Sequence, residues 1–214
     1  WKPVAPGASI LSGSEFALLR PDVVAARARA GHRRFGSVGR VLVSFGLVDS
    51  RDATTRTGRI VAAALPDACI DLTTSANAPH RASVESLVRQ IGDRARLHID
   101  SADYVGLLIG ADMALGAGGV SALERACVGL PSVIVTTASN QAASAELLAG
   151  AGAAVSGGTI DDMDDAQLAA AAVALAGNPA ARSDMAEAAM RTIDGGGAAR
   201  LAAQVAALAA ADAA

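Results

Sequence analysis

The stretch Asp112–Asn140, reading DMALGAGGVSALERACVGLPSVIVTTASN, constrains the fold more than any other part of the chain. A short apolar run, Met113–Leu115, passes into Gly116-Ala117-Gly118-Gly119. A helical pattern follows over Val120–Val128, and after Gly129 the residue Pro131 opens a second β-type run, Ser132–Thr136. Strand, glycine loop, helix and strand make one βαβ unit, which commits the chain to a parallel sheet. Glycines let a backbone approach a phosphate with no Cβ in the way. The first amides of the helix, Val120–Leu123, have no partner inside it and form an anion site. Ser121 adds a hydroxyl there, and Glu124 lies about one turn further on the same edge. A carboxylate in that place suits a vicinal diol better than a phosphate, because it accepts two hydrogen bonds and repels a second anion. Glycines between a strand and a helix also occur where nothing binds, and the helix dipole alone favours an early Glu. The remaining chain has to decide between these readings.

Taken in order, Glu15–Leu19 (EFALL) has the composition of a short strand stopped by Arg20-Pro21, and Asp22–Arg34 that of a helix. Arg27, Arg29, His32, Arg33 and Arg34 place positive charge at that helix's C-terminus, where the dipole favours it. Arg40–Phe45 reads as a buried strand ended by Gly46, and the loop Gly46–Asp52 leads into a helix over Ala53–Leu65. Strand Ala68–Thr73, loop Thr74–His80, helix Arg81–Gln90 and strand Arg94–Ile99 follow. Asp100-Ser101 is placed to cap a helix over Ala102–Ile109. Beyond the central unit the pattern predicts a helix over Asn140–Ala149, a strand over Ala153–Val155, and helices over Ala166–Ala176, Pro179–Thr192 and Ala198–Ala211. The acidic run Asp161–Asp165 reads as the cap of the first of these rather than a metal site.

Strands alternating with helices at short spacing predict a doubly wound α/β domain, a Rossmann-like parallel sheet covered on both faces. Ligands of such sheets bind at the carboxyl ends of the strands. The loops Gly46–Asp52, Thr74–Pro79 and Gly116–Gly119, the turn Thr137–Gln141 and the strand end His98-Ile99-Asp100 all leave that edge with polar or glycine character. Their convergence favours a nucleotide site.

Composition narrows the partners. Aromatic residues are 2% of the chain and the net charge is −3, which argues against a nucleic-acid surface built on basic stripes and stacking rings. No uncharged apolar run reaches the about 20 residues needed to span a bilayer. No basic-then-apolar leader occupies Trp1–Leu19, so a cytoplasmic location is expected. Cys69 and Cys127 lie in apolar surroundings without CxxC spacing and read as buried thiols. Residues 1–14 read as a connector from a preceding N-terminal lobe, residues 15–200 as the ligand-binding domain, and residues 201–214 as a C-terminal helix and tail.

Several segments together resemble the C-terminal, nucleotide-binding half of a GT-B fold protein, and within it the PseG/SpsG-type UDP-sugar hydrolases of pseudaminic acid biosynthesis. They are Phe16-Ala17-Leu18-Leu19-Arg20-Pro21, then Val41-Leu42-Val43-Ser44-Phe45-Gly46 with Asp49, then Leu97-His98-Ile99-Asp100. Gly116-Ala117-Gly118-Gly119 with Ser121 and Glu124-Arg125 follow, then Gly129-Leu130-Pro131, Asn140-Gln141, and Asp194-Gly195-x-Gly197-x-x-Arg200. The resemblance implies a diphosphate on the backbone amides of Gly118, Gly119 and Val120, helped by Ser121, with Glu124 on the ribose hydroxyls. It implies a uracil read by main-chain groups of His98 and Ile99, and a substrate surface that includes Gly46 and Asp49. Asn140 and Gln141 would face sugar and phosphate, with Asn140 the residue tied to the reaction.

The implied reaction is inverting displacement of UDP by water, releasing a free 2,4-diacetamido-2,4,6-trideoxyhexose, with no cofactor and no metal. Such a step needs a base for the water and stabilisation of the leaving diphosphate. In the family the base is a His of the N-terminal lobe, and none of His32, His80 or His98 stands in a comparable Gly-x-Gly-His loop; this chain alone is therefore expected to be inactive. Two positions depart from the family pattern: Leu47 stands where a second glycine is usual, and Ala122 where Trp is frequent. The rival readings are the donor-binding half of a MurG-like glycosyltransferase and a non-catalytic nucleotide-sugar-binding module. A UDP-GlcNAc 2-epimerase fits less well, since Val120-Ser121-Ala122 replaces the Gln-Glu-Glu expected after its paired glycines.

Overall fold

The computed structural model describes residue 8, residues 10–31 and residues 35–212. Six strands supply the sheet: β1 (Arg40–Ser44), β2 (Cys69–Thr74), β3 (Ala95–Ile99), β4 (Met113–Ala117), β5 (Ser132–Thr136) and β6 (Val155–Thr159). All are parallel, in the order β3-β2-β1-β4-β5-β6. The central strands are apolar runs because both their faces are covered. Val41, Val43, Leu115, Val133 and Val135 enter one core layer, with Leu42, Ala114 and Ile134 in the other. Helices α2 (Ala53–Ala64), α3 (Arg81–Ile91) and α7 (Asp165–Ala176) close the first layer. Helices α1 (Pro21–Ala30), α4 (Tyr104–Gly110), α5 (Val120–Cys127), α6 (Ala142–Gly150) and α8 (Pro179–Thr192) close the second. The direction of strand order reverses between β1 and β4, and a crevice opens at such a switch point.

Most sequence-predicted elements lie within two residues of their expected ends, and the differences at three of them have identifiable physical causes. Glu15–Leu19 is no strand: Ser14–Phe16 makes a single 3₁₀ turn, and the segment crosses the start of α9 (Gly197–Asp212) instead of joining a sheet edge. Its polar backbone is held from the far end of the chain, with Arg200 donating to the Glu15 carbonyl at 2.8 Å. A Cβ at Gly197 would lie 2.2 Å from the Ala17 carbonyl oxygen, so only glycine admits the crossing. Helix α4 starts at Tyr104, not Ala102, because Asp103 is its cap and accepts from the Gly106 amide at 2.8 Å. Asp100 accepts from the Ala76 amide at 2.9 Å and joins the loops after β2 and β3. Strand β6 begins at Val155 rather than Ala153; pairing with β5 imposes the extended form on Ser156–Thr159, with an irregular register at Ile134/Thr136.

The predicted basic helix end falls partly on residues 32–34, outside the described residues. Arg27, within them, does not serve the dipole in solvent. Its guanidinium donates to the carbonyls of Cys127 (2.8 Å), Ile193 (3.0 Å) and Met190 (2.7 Å), tying α1 to the ends of α5 and α8. The motif Asp194-Gly195-x-Gly197-x-x-Arg200 is likewise structural. Asp194 accepts from Arg200 and from the Gly196 amide at 2.8 Å, orienting the guanidinium that holds Glu15.

The Arg200 guanidinium and then the Gly196 amide pull the Asp194 carboxyl from an ordinary 3.8 down to about 2. A carboxyl depressed in the folded state contributes stability above its unfolded value, and that contribution fades as pH falls through the folded one. Asp194→Asn is therefore expected to unfold at lower denaturant than wild type at pH 7, with the gap closing between about pH 4 and pH 2. A pH-independent gap in chemical denaturation contradicts this.

Candidate functional site

A cleft of about 380 Å³ opens at the carboxyl ends of the strands. Its floor is made of strand-end hydroxyls, Ser44, Thr73 and Thr74, all buried. Thr73 donates to Ser44 Oγ at 3.0 Å, and Ser44 lies 3.4 Å from the Tyr104 hydroxyl. Gly46 and Leu47 come from the loop after β1, His98 and Asp100 from the end of β3, and Ser121 and Glu124 from α5. Arg20 enters from the crossing segment, paired with Asp22 (Nε–Oδ1 3.1 Å).

His98 is fixed from below. Its Nε2 lies 2.7 Å from Asp71 Oδ1, and Asp71 is bound in turn by Arg40. The three come from neighbouring strands and lie on one face of the sheet, an arrangement set by the register Leu42↔Asp71 and Thr73↔His98. Burial acts to raise the Asp71 carboxyl, but the hydrogen bonds from Arg40 and His98 outweigh it and hold the carboxyl below its ordinary range.

The β4–α5 turn forms the opposite wall. A Cβ at Gly116 would lie 2.2 Å from the Ser44 carbonyl oxygen, so glycine there lets β4 and β1 meet. The amide of Gly118 is already engaged: it donates to Gln141 Oε1 at 3.2 Å, which also accepts from the Thr137 amide at 3.0 Å. Gln141 thus latches the turn after β5 onto the glycine loop. The amides of Gly119, Val120 and Ser121 meet no acceptor among the described residues and carry the positive end of α5. Glu124 is 6% exposed, and its carboxylate forms no hydrogen bond or ion pair among the described residues. Burial raises its pKa, against the pull of Arg20 and Arg125. A buried carboxylate without a partner is uncommon in a folded protein and calls for an explanation.

Of the sequence-predicted site residues, Gly46, His98, Ser121 and Glu124 line the cleft together. Asp49 does not. Its two oxygens accept from the Ala53 amide at 3.0 Å and the Thr54 amide at 2.8 Å, and it anchors the start of α2. Ile99 and Val120 are exposed beside the cleft, and Asn140 is exposed on the 3₁₀ turn Ser139–Gln141. Leu47, one of the two departures, is 61% exposed on the cleft wall, while Ala122 is buried in the second core layer. Arg20, Ser44, Thr73 and Tyr104 were not assigned from sequence. Arg20 is the cation that ends the apolar run Phe16–Leu19, and that is the signal the sequence offers for it. In the acidic run, Asp164 caps α7, Asp162 accepts from Thr159, and Asp161 and Asp165 pair with Arg51 and Arg56. Cys127 is buried, Cys69 half-buried, and neither is in a disulfide.

No protein-family model and no curated protein matches the sequence. Solved structures do. Spinosyn rhamnosyltransferase SpnG complexed with thymidine diphosphate matches over 77% of this chain and 43% of that one, at TM-score 0.59 and 22% identity. MurG from Acinetobacter baumannii matches over 77% and 48%, at 0.58 and 19%. UDP-GlcNAc 2-epimerase from Neisseria meningitidis, bound to UDP-GlcNAc, matches over 78% and 44%, at 0.61 and 15%. The chain thus spans less than half the length of these proteins. The likeness shows the fold, that of the C-terminal domain of GT-B glycosyltransferases. Among the described residues no helix is long and apolar enough to cross a membrane.

The two loop glycines differ in a way that stability measurements separate. Gly116→Ala drives a Cβ into the Ser44 backbone and is expected to cost about 2–3 kcal/mol or more. At Gly119, with φ −81°, a Cβ meets the Gln141 side chain at no less than 3.8 Å, so Gly119→Ala is expected to stay within about 1 kcal/mol of wild type. Equal losses in urea denaturation contradict this geometry.

Proposed function

We propose that this chain is the nucleotide-sugar-binding half of a GT-B enzyme that breaks the bond between an anomeric carbon and the diphosphate of a UDP-sugar. One observation carries the reading. Glu124 is a buried carboxylate left without a protein partner, one turn along a helix whose first amides are also unpartnered. Those amides and Ser121 suit a diphosphate, and Glu124 suits the ribose hydroxyls next to it. The hydroxyl-lined floor and the edge of His98 and Ile99 are left for the base. Neighbours of the same fold were solved with thymidine diphosphate and with UDP-GlcNAc, which supports a pyrimidine nucleoside diphosphate as the ligand class.

In this reading the chain's residues stabilise the departing diphosphate: the dipole and amides at the start of α5 meet the charge that develops on it. Asn140, exposed on the turn that Gln141 latches to the glycine loop, is the residue of this chain we tie to the sugar. Proton abstraction from the acceptor belongs to an N-terminal lobe. Donor binding as in a MurG-like glycosyltransferase fits the fold neighbours. Water as the acceptor, making the enzyme an inverting hydrolase of the PseG/SpsG type, is favoured by Asn140-Gln141 and the entry segment Phe16-Ala17-Leu18-Leu19-Arg20-Pro21, which lie outside the glycine, Glu124 and Gly129-Leu130-Pro131 frame that a MurG-like transferase shares.

Calorimetric titration with UDP, with CMP and ADP as controls, tests the reading. Selective binding of UDP is expected, and Glu124→Ala is expected to weaken it by about 1.5–3 kcal/mol, the worth of charge-assisted hydrogen bonds to a diol. An affinity for UDP unchanged by Glu124→Ala removes the carboxylate from the site.

A further inference from the structure

Directly behind the glycine loop lies a charge the chain itself does not neutralise. Arg125 is 0% exposed, and no carboxylate lies within ion-pair distance of it among the described residues. Its Nη2 donates to the Ala117 carbonyl at 2.8 Å and its Nη1 to Ser121 Oγ at 3.4 Å, while Nε is buried with no partner. Burial pushes its pKa down, with Tyr104 and Glu124 acting the other way. A Cβ at Gly116 would lie 2.9 Å from Nη1, so the loop glycine makes room for the guanidinium as well as for β1. Guanidinium groups keep their proton, and burying one unpaired is costly enough that proteins seldom do it without a counter-charge.

Two features show where a counter-charge belongs. The unpartnered amides of Gly119, Val120 and Ser121 are on the outer side of the same turn, so an anion seated on them lies over the buried cation. Ser121 Oγ accepts from Arg125, which leaves the hydroxyl proton to donate away from the guanidinium, on the side where Ser121 lines the cleft. Resting on the nucleotide-site reading above, we infer that Arg125 is the built-in counter-charge of the diphosphate, acting through the protein and through Ser121 without touching the ligand. It is a positioning residue. Its effect scales with the charge on the ligand, whereas a purely structural arginine affects charged and uncharged ligands alike.

The test titrates wild type, Arg125→Met, Arg125→Lys and Ser121→Ala with UDP, UMP and uridine, and follows thermal unfolding of each without ligand. Arg125→Met is expected to lose at least about ten-fold in affinity for UDP, less for UMP, and to bind uridine within about two-fold of wild type. Arg125→Lys keeps the charge and is expected to retain most of the preference for UDP over uridine. Without ligand, Arg125→Met is expected to melt no lower than wild type, as when buried ions give way to apolar side chains of similar size. Ser121→Ala, a change at a partly exposed position, is expected to weaken UDP and not uridine, and if Arg125→Met does not fold the same comparison of UDP with uridine is made on Arg125→Gln. Equal losses for UDP and uridine in Arg125→Met, or an unchanged UDP affinity in Ser121→Ala, overturn the inference while leaving the nucleotide site in place. Binding of none of the three ligands by folded wild type removes the site reading itself.

Discussion

The site depends on how closely the ends of β1 and β4 approach each other. The two strands pair from Val41↔Met113 to Ser44↔Gly116, and at that last pair a side chain on β4 would collide with the β1 backbone. Gly116 removes the obstacle. The reversal of strand order then falls between the loop after β1, with Gly46 and Leu47, and the turn into α5, with Ser121 and Glu124. Those two loops face each other across the crevice because nothing wider than a glycine separates their strands.

A second consequence is chemical. One sheet face carries polar groups towards the cleft: Arg40, Asp71 and His98 in one bonded series, and Thr73 with Ser44 in another that meets the hydroxyl of Tyr104 on α4. Such groups are costly to bury unless they are satisfied by one another. Here they are, except where the cleft begins. Glu124 and the first amides of α5 stay unsatisfied at the wall, and Arg125 stays unpaired behind it. Unmet hydrogen-bonding and charge capacity thus gathers around this turn, in the pattern that the proposed nucleoside diphosphate would meet, while Thr54, Thr55 and Thr57 of α2, Asp52 and Arg182 hold further buried polar atoms without partners.

Much of this was legible in the sequence. The runs around Val41–Val43 and Val133–Val135 could only be strands buried on both faces, and Gly118-Gly119 before a helix marked the turn. What escaped was set by distant partners. Glu15–Leu19 has strand composition, yet its backbone is held by Arg200 and admitted by Gly197, some 180 residues away (Arg200–Glu15 separation 185). Asp100 and Asp103 are equally good caps by composition, and only the loop contact with Ala76 assigns the first elsewhere. Strand β6 is Ser-Gly-Gly-Thr over much of its length and extends because β5 offers it a ladder. Within the site, motif residues divided between ligand-facing and internal parts: Glu124 and Ser121 at the cleft, but Asp49 spent on α2 and Gln141 on Gly118. A motif read from sequence does not show which of its polar atoms are already used.

Backbone amide NMR during titration with UDP tests the central claim most directly, because it reports on each donor separately. If the start of α5 is the diphosphate seat, the amide signals of Gly119, Val120 and Ser121 shift together and furthest. Gly118, already bonded to Gln141, then moves less. Saturable shifts confined to other parts of the chain, with these three amides unmoved, would contradict the account.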